Sequence, residues 1–252
     1  MAFKEKIKRA VAAYVEAHLP DERFYKNYFW FISDGALRER LEDEFKAARY
    51  IYKLLEGLQV KDALLVAQCK IQILLYASIY EAILHHVLLQ DYKDTLPVNK
   101  LTSYEHKVPI NPSKDLLEKI KKTYVPTGAF AVYKNQNKQI DERKIVFEDK
   151  AQTAMDLGLI NSKTKEVICD IYSMRNAIHL HAELRRGLTY DLKAAKKAYW
   201  HLEGFSTQIG NKLEKDGKAS RPSISSPPTI ASTEKTLRRI VRRYFLNFMK
   251  WR

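Results

Sequence analysis

Four residues between positions 175 and 181 combine the side-chain types needed for proton transfer and for phosphate binding. The segment Met174–His181 reads MRNAIHLH and contains Arg175, Asn176, His179 and His181. An imidazole titrates near neutral pH, so it can accept and donate protons at a reacting centre. A guanidinium carries a permanent charge and a planar set of donors that matches phosphate oxygens. The segment therefore predicts acid–base chemistry on a phosphodiester, with no metal ion or cofactor needed.

RNA suits these groups because its 2′-hydroxyl supplies the nucleophile, but spacing leaves the choice of histidine open. On a continuous helix, residues four positions apart share a face, which places His179 beside Arg175. His181 follows after five intervening residues and diverges from Arg175 by about 120° on such a helix. In the alternative interpretation, Arg175 pairs with Glu183 or Asp170, and the histidines only end a helix.

The segment and its surroundings resemble the HEPN ribonucleases, whose motif is Arg-x(4–6)-His. Chance gives about one such pair in a chain with 15 Arg and 7 His, so the context carries the resemblance. Asp156–Ile160 closes one predicted helix, Ile171–Arg175 leads into the motif, and Ile79–Leu84 resembles the acidic position of the central HEPN helix. The commonest HEPN spacing puts histidine where Leu180 stands, so this chain departs from the pattern there.

The resemblance covers about residues 60–215 and implies a metal-independent endoribonuclease that leaves 2′,3′-cyclic phosphate and 5′-hydroxyl ends. It implies Arg175 and His181 as catalytic residues, with His179 as an assistant or substitute. Asn176 is expected to orient the arginine or bind phosphate, and Glu81 to support the site. One motif per chain implies a homodimer, since HEPN sites join two motifs. A role in bacterial defence or toxin-like RNA control follows from the resemblance alone.

Apolar residues at helical spacing, with few glycines and prolines, predict an all-α fold. Its elements are a HEPN-like bundle, N-terminal helices and an appended basic C-terminal helix. Helices are expected at about 3–19, 34–58, 62–90, 114–122, 147–157, from 162, and 190–214, with a small hairpin or mobile loop within 124–145. The predicted divisions are N-terminal helices over 1–59, a core over 60–215 with an inserted loop at 91–146, a flexible linker at 216–233, and a basic amphipathic helix at 234–252.

The charge balance points to a polyanionic partner. The chain carries 44 Lys and Arg against 30 Asp and Glu, a net charge of +14, and residues 234–252 contribute seven of these cations against one acid. Such an excess favours RNA or an anionic membrane surface. Six residues of this last segment are the expected RNA contacts: Arg238, Arg239, Arg242, Arg243, Lys250 and Trp251.

Several features narrow the alternatives. Cys69 and Cys169 lie in apolar helical patterns, which predicts buried thiols in a reducing, cytoplasmic compartment. His85 and His86 lie in an apolar helix without a third ligand nearby, so a core or interface position is favoured over a metal site. Neither a signal peptide nor a transmembrane segment is predicted. The rival functions are a noncatalytic RNA-binding scaffold, as a subunit of a larger ribonucleoprotein complex, and a module tethered to membranes through residues 234–252.

Overall fold

The computed structural model describes residues 3–123 and 131–222, and this part of the chain is mostly helical. That agrees with the expected all-α class, to which one small ribbon is added. The α-helices are α1 Glu5–Ala17, α2 Glu22–Lys26, α3 Gly35–Gly57, α4 Asp62–His86, α5 Leu96–Thr102, α6 Lys114–Thr123, α7 Phe147–Asp156, α8 Ser162–Asn176, α9 Leu180–Arg186 and α10 Leu192–Lys215. Two strands, β1 Ser103–Ile110 and β2 Val132–Gln139, pair antiparallel.

The centre of the bundle is α4, which packs against α3, α7, α8 and α10. Its sequence is apolar almost all round, a pattern that is stable where neighbouring helices cover most of the surface. Tyr76, Tyr80 and Ile83 are fully buried. The Tyr80 hydroxyl donates a hydrogen bond to the Ala198 carbonyl of α10 at 2.7 Å, which ties the central helix to the last described helix. A π-helical turn, Val87–Asp91, continues α4.

The stretch Asp62–Asp91 also has the length and composition of a membrane span. Its most apolar window has a mean hydropathy of 1.5, and 44% of that window is buried inside the bundle. Central helices of soluble bundles and membrane-spanning helices share this composition. The expectation that no segment crosses a membrane therefore stays a prediction.

The N-terminal helices form as their sequence predicts. The Asp34 carboxylate caps α3 by accepting hydrogen bonds from the backbone N–H groups of Ala36 and Leu37, which satisfies two donors at the start of the helix. The aromatic-rich segment before it supplies core side chains, including the buried Tyr25, Phe29 and Phe31. These three rings belong to the hydrophobic core.

Within the inserted segment 91–146, the helix expected at 114–122 forms as α6, but α5 and β1 lie where a loop was expected. Pro97 lies in the first turn of α5, where the missing N–H of proline costs nothing. The strand β1 follows at once, then α6, and β2 returns to pair with β1 along its whole length. The expected hairpin within 124–145 is likewise replaced by this longer-range pairing.

The chain separates into a unit that ends at Ser220 and a second unit, 221–252. Of the second unit only Arg221 and Pro222 are described. The predicted linker beyond Pro222 and the predicted basic helix, with all six of its expected RNA contacts, lie outside the described residues.

Candidate active site

The helix that carries Arg175 ends one residue after it. The backbone N–H of Ala177 bonds to the carbonyls of Ser173 and Met174, which closes α8. His179 has extended backbone angles and caps α9. Arg175 and the two histidines therefore lie on either side of a break between helices. The argument that places His179 beside Arg175 on a continuous helix is wrong because the helix does not continue.

The Arg175 side chain is half-buried and is held by a ring and an amide. Its Nη1 atom donates to Asn176 Oδ1 at 3.0 Å, and its guanidinium carbon lies 5.3 Å from the centre of the Tyr172 ring. Asn176, His179 and His181 are exposed. The site thus presents a cation, an amide and two imidazoles at one surface break between helices.

The carboxylates considered as alternative partners of Arg175 are bound elsewhere. Glu183 pairs with Lys70 of α4, and Asp170 pairs with Lys197 of α10 at 3.0 Å. The structure therefore does not contain the pairing of Arg175 with either acid that the alternative interpretation proposed. The Tyr172 ring and the Asn176 amide do not neutralise the charge of Arg175, so its guanidinium can still donate hydrogen bonds to an anionic ligand.

Glu81 supports this arrangement through Tyr172. The Tyr172 hydroxyl donates to Glu81 Oε1 at 3.0 Å, and the ring stacks on Phe147 with centres 4.0 Å apart and planes 11° apart. Burial, together with the Glu81 carboxylate, raises the pKa of Tyr172 to about 12. Glu81 and Phe147 hold the ring over which Arg175 lies, so the sequence-predicted supporting residue acts on the arginine indirectly.

Sequence reasoning missed a basic pair next to Glu81. Lys150 of α7 is only 4% exposed, and its Nζ atom lies 3.3 Å from Nδ1 of His85. The other His85 nitrogen, Nε2, lies 3.8 Å from a Glu142 carboxylate oxygen. Because an ammonium only donates, Nδ1 accepts and Nε2 carries the ring proton in the neutral form. Glu81 and His85 are four positions apart, and this spacing is the one local signal for the pair.

The acid–base properties of the pair follow from burial and charge. Burial lowers the pKa of His85, and the neighbouring Lys150 lowers it further, while Glu142 and Glu81 act in the opposite direction. Burial also lowers the pKa of Lys150, against the same two carboxylates. The neutral imidazole is favoured because a second positive charge beside Lys150 is unfavourable.

Among the described residues, no three His, Cys, Asp or Glu side chains come together as a metal site. His86 is buried and hydrogen-bonds through Nε2 to the Ser33 hydroxyl at 3.1 Å, which agrees with the predicted core position. Cys69 and Cys169 are free thiols, the first buried and the second half-buried.

Comparison with known proteins adds no family to this picture. The chain matches no family model, no curated protein and no solved structure. Any functional conclusion therefore depends on the residues and their geometry.

Proposed function

We propose that this chain is a metal-independent endoribonuclease of the HEPN type that acts as a homodimer. The observation that carries the proposal is the state of Arg175. Its guanidinium lies against Tyr172 and Asn176 rather than a carboxylate, at a break between helices that also exposes His179 and His181. A phosphate-binding arginine needs this combination of a fixed position and an unneutralised charge.

The proposed reaction uses the 2′-hydroxyl of RNA as the nucleophile. The 2′ oxygen bonds to phosphorus, the bond from phosphorus to the 5′ oxygen breaks, and a 2′,3′-cyclic phosphate remains. His181 takes the proton of the 2′-hydroxyl, and the leaving 5′ oxygen takes a proton from the second protomer's imidazole or from water. Arg175 binds the non-bridging oxygens, where negative charge grows in the transition state. Asn176 orients the guanidinium.

The homodimer is supported by an apolar stripe along α4 that the bundle leaves exposed. Leu64, Ile71 and Leu74 are exposed, and the same face continues two turns beyond Leu74 to Glu81, which bonds Tyr172 beneath Arg175. A second copy packed on this stripe buries the apolar side chains. It also brings the second Arg175 toward the first, as a two-fold interface requires.

The helix α9 also contacts α4 through an ion pair. Lys70, half-buried on α4, pairs with Glu183, which stands two residues after His181. Both parts of the motif are thus anchored to the central helix, Arg175 through Tyr172 and Glu81, and the histidine segment through Glu183 and Lys70. A cytoplasmic location and a role in bacterial defence or toxin-like RNA control belong to the proposal through the HEPN resemblance alone.

The test is RNA cleavage in the presence of EDTA. We expect the wild-type protein to leave 2′,3′-cyclic phosphate ends. His181→Ala should lower the rate by about 10²–10⁴-fold, the usual contribution of a positioned acid–base group, and Arg175→Ala by about 10²–10³-fold, that of a donor to the charge of the transition state. His179→Ala distinguishes an assistant from a substitute. Arg9→Ala is the matched control, since Arg9 is an exposed arginine on α1, outside the motif, and it should cleave at the wild-type rate.

Two outcomes contradict the nuclease. Cleavage that disappears with EDTA contradicts the metal-independent reaction. Tight RNA binding without cleavage favours the rival function, a noncatalytic RNA-binding scaffold within a larger ribonucleoprotein complex. The lysine-rich ribbon formed by β1 and β2 is the observation that favours this rival.

A further inference from the structure

The ribbon of β1 and β2 presents its side chains to solvent on both faces. Thirteen of its sixteen residues are exposed, and the other three are half-buried. A two-stranded ribbon that covers no core is marginally stable by itself. Its side chains therefore contribute little to the packing of the bundle and are available to a partner.

The strand register sorts these side chains onto two faces. Residues paired across an antiparallel ribbon share a face, and the faces alternate along each strand. The pairs Tyr104 with Lys138, His106 with Gln136, and Val108 with Lys134 lie on one face, here called the lysine–aromatic face. The pairs Glu105 with Asn137, Lys107 with Asn135, and Pro109 with Tyr133 lie on the opposite face.

The lysine–aromatic face has the parts of a site for single-stranded nucleic acid. The Tyr104 and His106 rings lie 6.3 Å apart at 70° to each other, with Lys138 across from Tyr104. Lys134 and Lys138 are four positions apart, about 13 Å along the strand, so they flank the rings. Unpaired bases stack on aromatic side chains, while lysines bind the phosphates on either side.

The surrounding sequence has a charge that complements a polyanion. Residues 103–139 contain seven lysines and three acidic residues, a net charge of +4. Four of the lysines lie on or beside α6, which directly follows β1 and its short connection. Phosphate groups are the complement of such a lysine cluster.

We propose that the lysine–aromatic face is a second binding surface, which binds single-stranded RNA with Lys134 and Lys138 on phosphates and a base stacked at Tyr104 and His106. This inference depends on the proposed function only in taking RNA as the substrate. The ribbon binds the RNA and the Arg175 site cleaves it, so binding and cleavage can be measured independently.

The experiment compares two variants of equal composition and charge in the full chain. Tyr104→Ala/Lys138→Gln alters the lysine–aromatic face, and Tyr133→Ala/Lys107→Gln removes one tyrosine and one lysine from the opposite face. Binding is measured by fluorescence anisotropy with a short 2′-O-methyl RNA, which has no nucleophile and stays intact. Circular dichroism checks that both variants fold.

We expect the first variant to bind at least about tenfold more weakly, the effect of losing one stacked base. Its salt dependence should also fall by about 0.7 in slope, the share of one phosphate contact on a single strand. The control should stay within about twofold of the wild type. Equal weakening by both variants, or none by either, overturns the proposal, as does an equal effect on duplex RNA or on polyglutamate binding.

The outcomes separate this inference from the nuclease proposal. RNA binding that needs the lysine–aromatic face, without cleavage in EDTA, leaves the ribbon as an RNA site and removes the nuclease. Cleavage by the wild-type protein with unchanged RNA binding in the first variant removes the ribbon site and leaves the nuclease.

Discussion

Arg175 is held by contacts that are weak enough to exchange for a ligand. A cation over an aromatic ring at a partly exposed site contributes about 0.5–1 kcal/mol, and the Asn176 amide adds one neutral acceptor. A bidentate carboxylate would hold the guanidinium more tightly and cancel its charge. Tyr172 therefore positions Arg175 without competing strongly with a phosphate, which is what a phosphate-binding residue needs before substrate arrives.

Burial and then Lys150 lower the pKa of His85, so the removal of Lys150 should change the titration of this histidine. Lys150→Met keeps an unbranched side chain, one atom shorter, and removes the positive charge 3.3 Å from His85 Nδ1. Burial remains, together with Glu81 and His86 on α4 and Glu142 on the preceding turn. With one unfavourable charge gone, the imidazolium form costs less, so the pKa of His85 should rise. NMR titration of the histidine side chains measures the shift.

His201 provides the matched control for this prediction. Burial is the main cause that lowers the pKa of His201, followed by Lys197 and Lys163, so Lys163→Met should raise the pKa of His201 and leave that of His85 unchanged.

The lowered pKa of His85 also affects stability. Because the pKa of this histidine is lower in the folded protein than in the unfolded chain, stability falls as the pH drops through the unfolded value of about 6.5. Lys150→Met should shrink this loss. An unchanged His85 titration in Lys150→Met contradicts the assigned contact.

At the scale of elements, the helices that bury an apolar stripe could be predicted from the sequence, and the ribbon of β1 and β2 could not. The repeating apolar positions of α3 and α10 face the core, because burying them stabilises each helix. Neither ribbon face is buried, so no alternation of apolar and polar residues marks β1 or β2. Prolines at 97, 109 and 112 suggested a loop, although the first lies in a helical first turn and the second within the exposed strand β1.

Some residues of the candidate site could be predicted from local sequence, and others could not because they depend on distant contacts. Arg175, Asn176 and the two histidines are close in sequence, so the motif alone brings them forward as candidates. Tyr172 and Lys150 reach α4 partners 91 and 65 positions away. Such contacts depend on how α7 and α8 pack on α4, and nothing in local spacing encodes that packing. The end of α8 at Asn176 also escaped prediction, since the sequence there holds neither glycine nor proline.

The packing of α10 against the N-terminal aromatic segment can be tested by two glycine substitutions. A Cβ atom at Gly210 would lie 2.9 Å from Trp30 Cζ2 and 3.1 Å from Phe31 Cδ1, so Gly210→Ala should destabilise the fold by about 1–3 kcal/mol through overpacking. Gly204 lies in the same helix, with open space around its Cβ position. Gly204→Ala should stabilise by about 0.5–1 kcal/mol, because alanine favours helices.

Urea unfolding followed by circular dichroism measures both glycine variants under one set of conditions. Opposite signs for the two substitutions support the close approach of Trp30 and Phe31 to α10. Stabilisation by both alanines would show that the N-terminal aromatic segment does not press on this helix.

At the scale of the whole chain, much of the positive charge is concentrated in two segments of the sequence. Residues 234–252 carry +6 of the net +14, and residues 103–139 carry +4. Arg175 itself lies between a ring and an amide. This sequence distribution suits a protein in which basic segments bind a long polyanion and Arg175 acts on a single phosphate. Sequence-independent binding by spread lysines and arginines then depends steeply on salt.

The exposed stripe of α4 makes the last prediction, because it links assembly to activity. Leu74 is a 42% exposed residue of the stripe. A two-fold interface contains this residue from both protomers, so Leu74→Glu would place two carboxylates in apolar surroundings. Burying an unpaired charge is strongly unfavourable, so Leu74→Glu should be a monomer in sedimentation velocity while the wild type is a dimer. RNA cleavage should fall with dimer content, and anisotropy binding through the ribbon should persist.

Trp200→Glu is the control for the α4 stripe, since Trp200 is a 65% exposed aromatic residue on another helix, α10. It should remain a dimer and cleave RNA at the wild-type rate. If Trp200→Glu separates the protomers and Leu74→Glu does not, the interface lies on α10, and the two Arg175 side chains lose the arrangement that brings them together. A wild-type monomer that cleaves RNA would show that one copy of the motif suffices, and the composite site would then have no role.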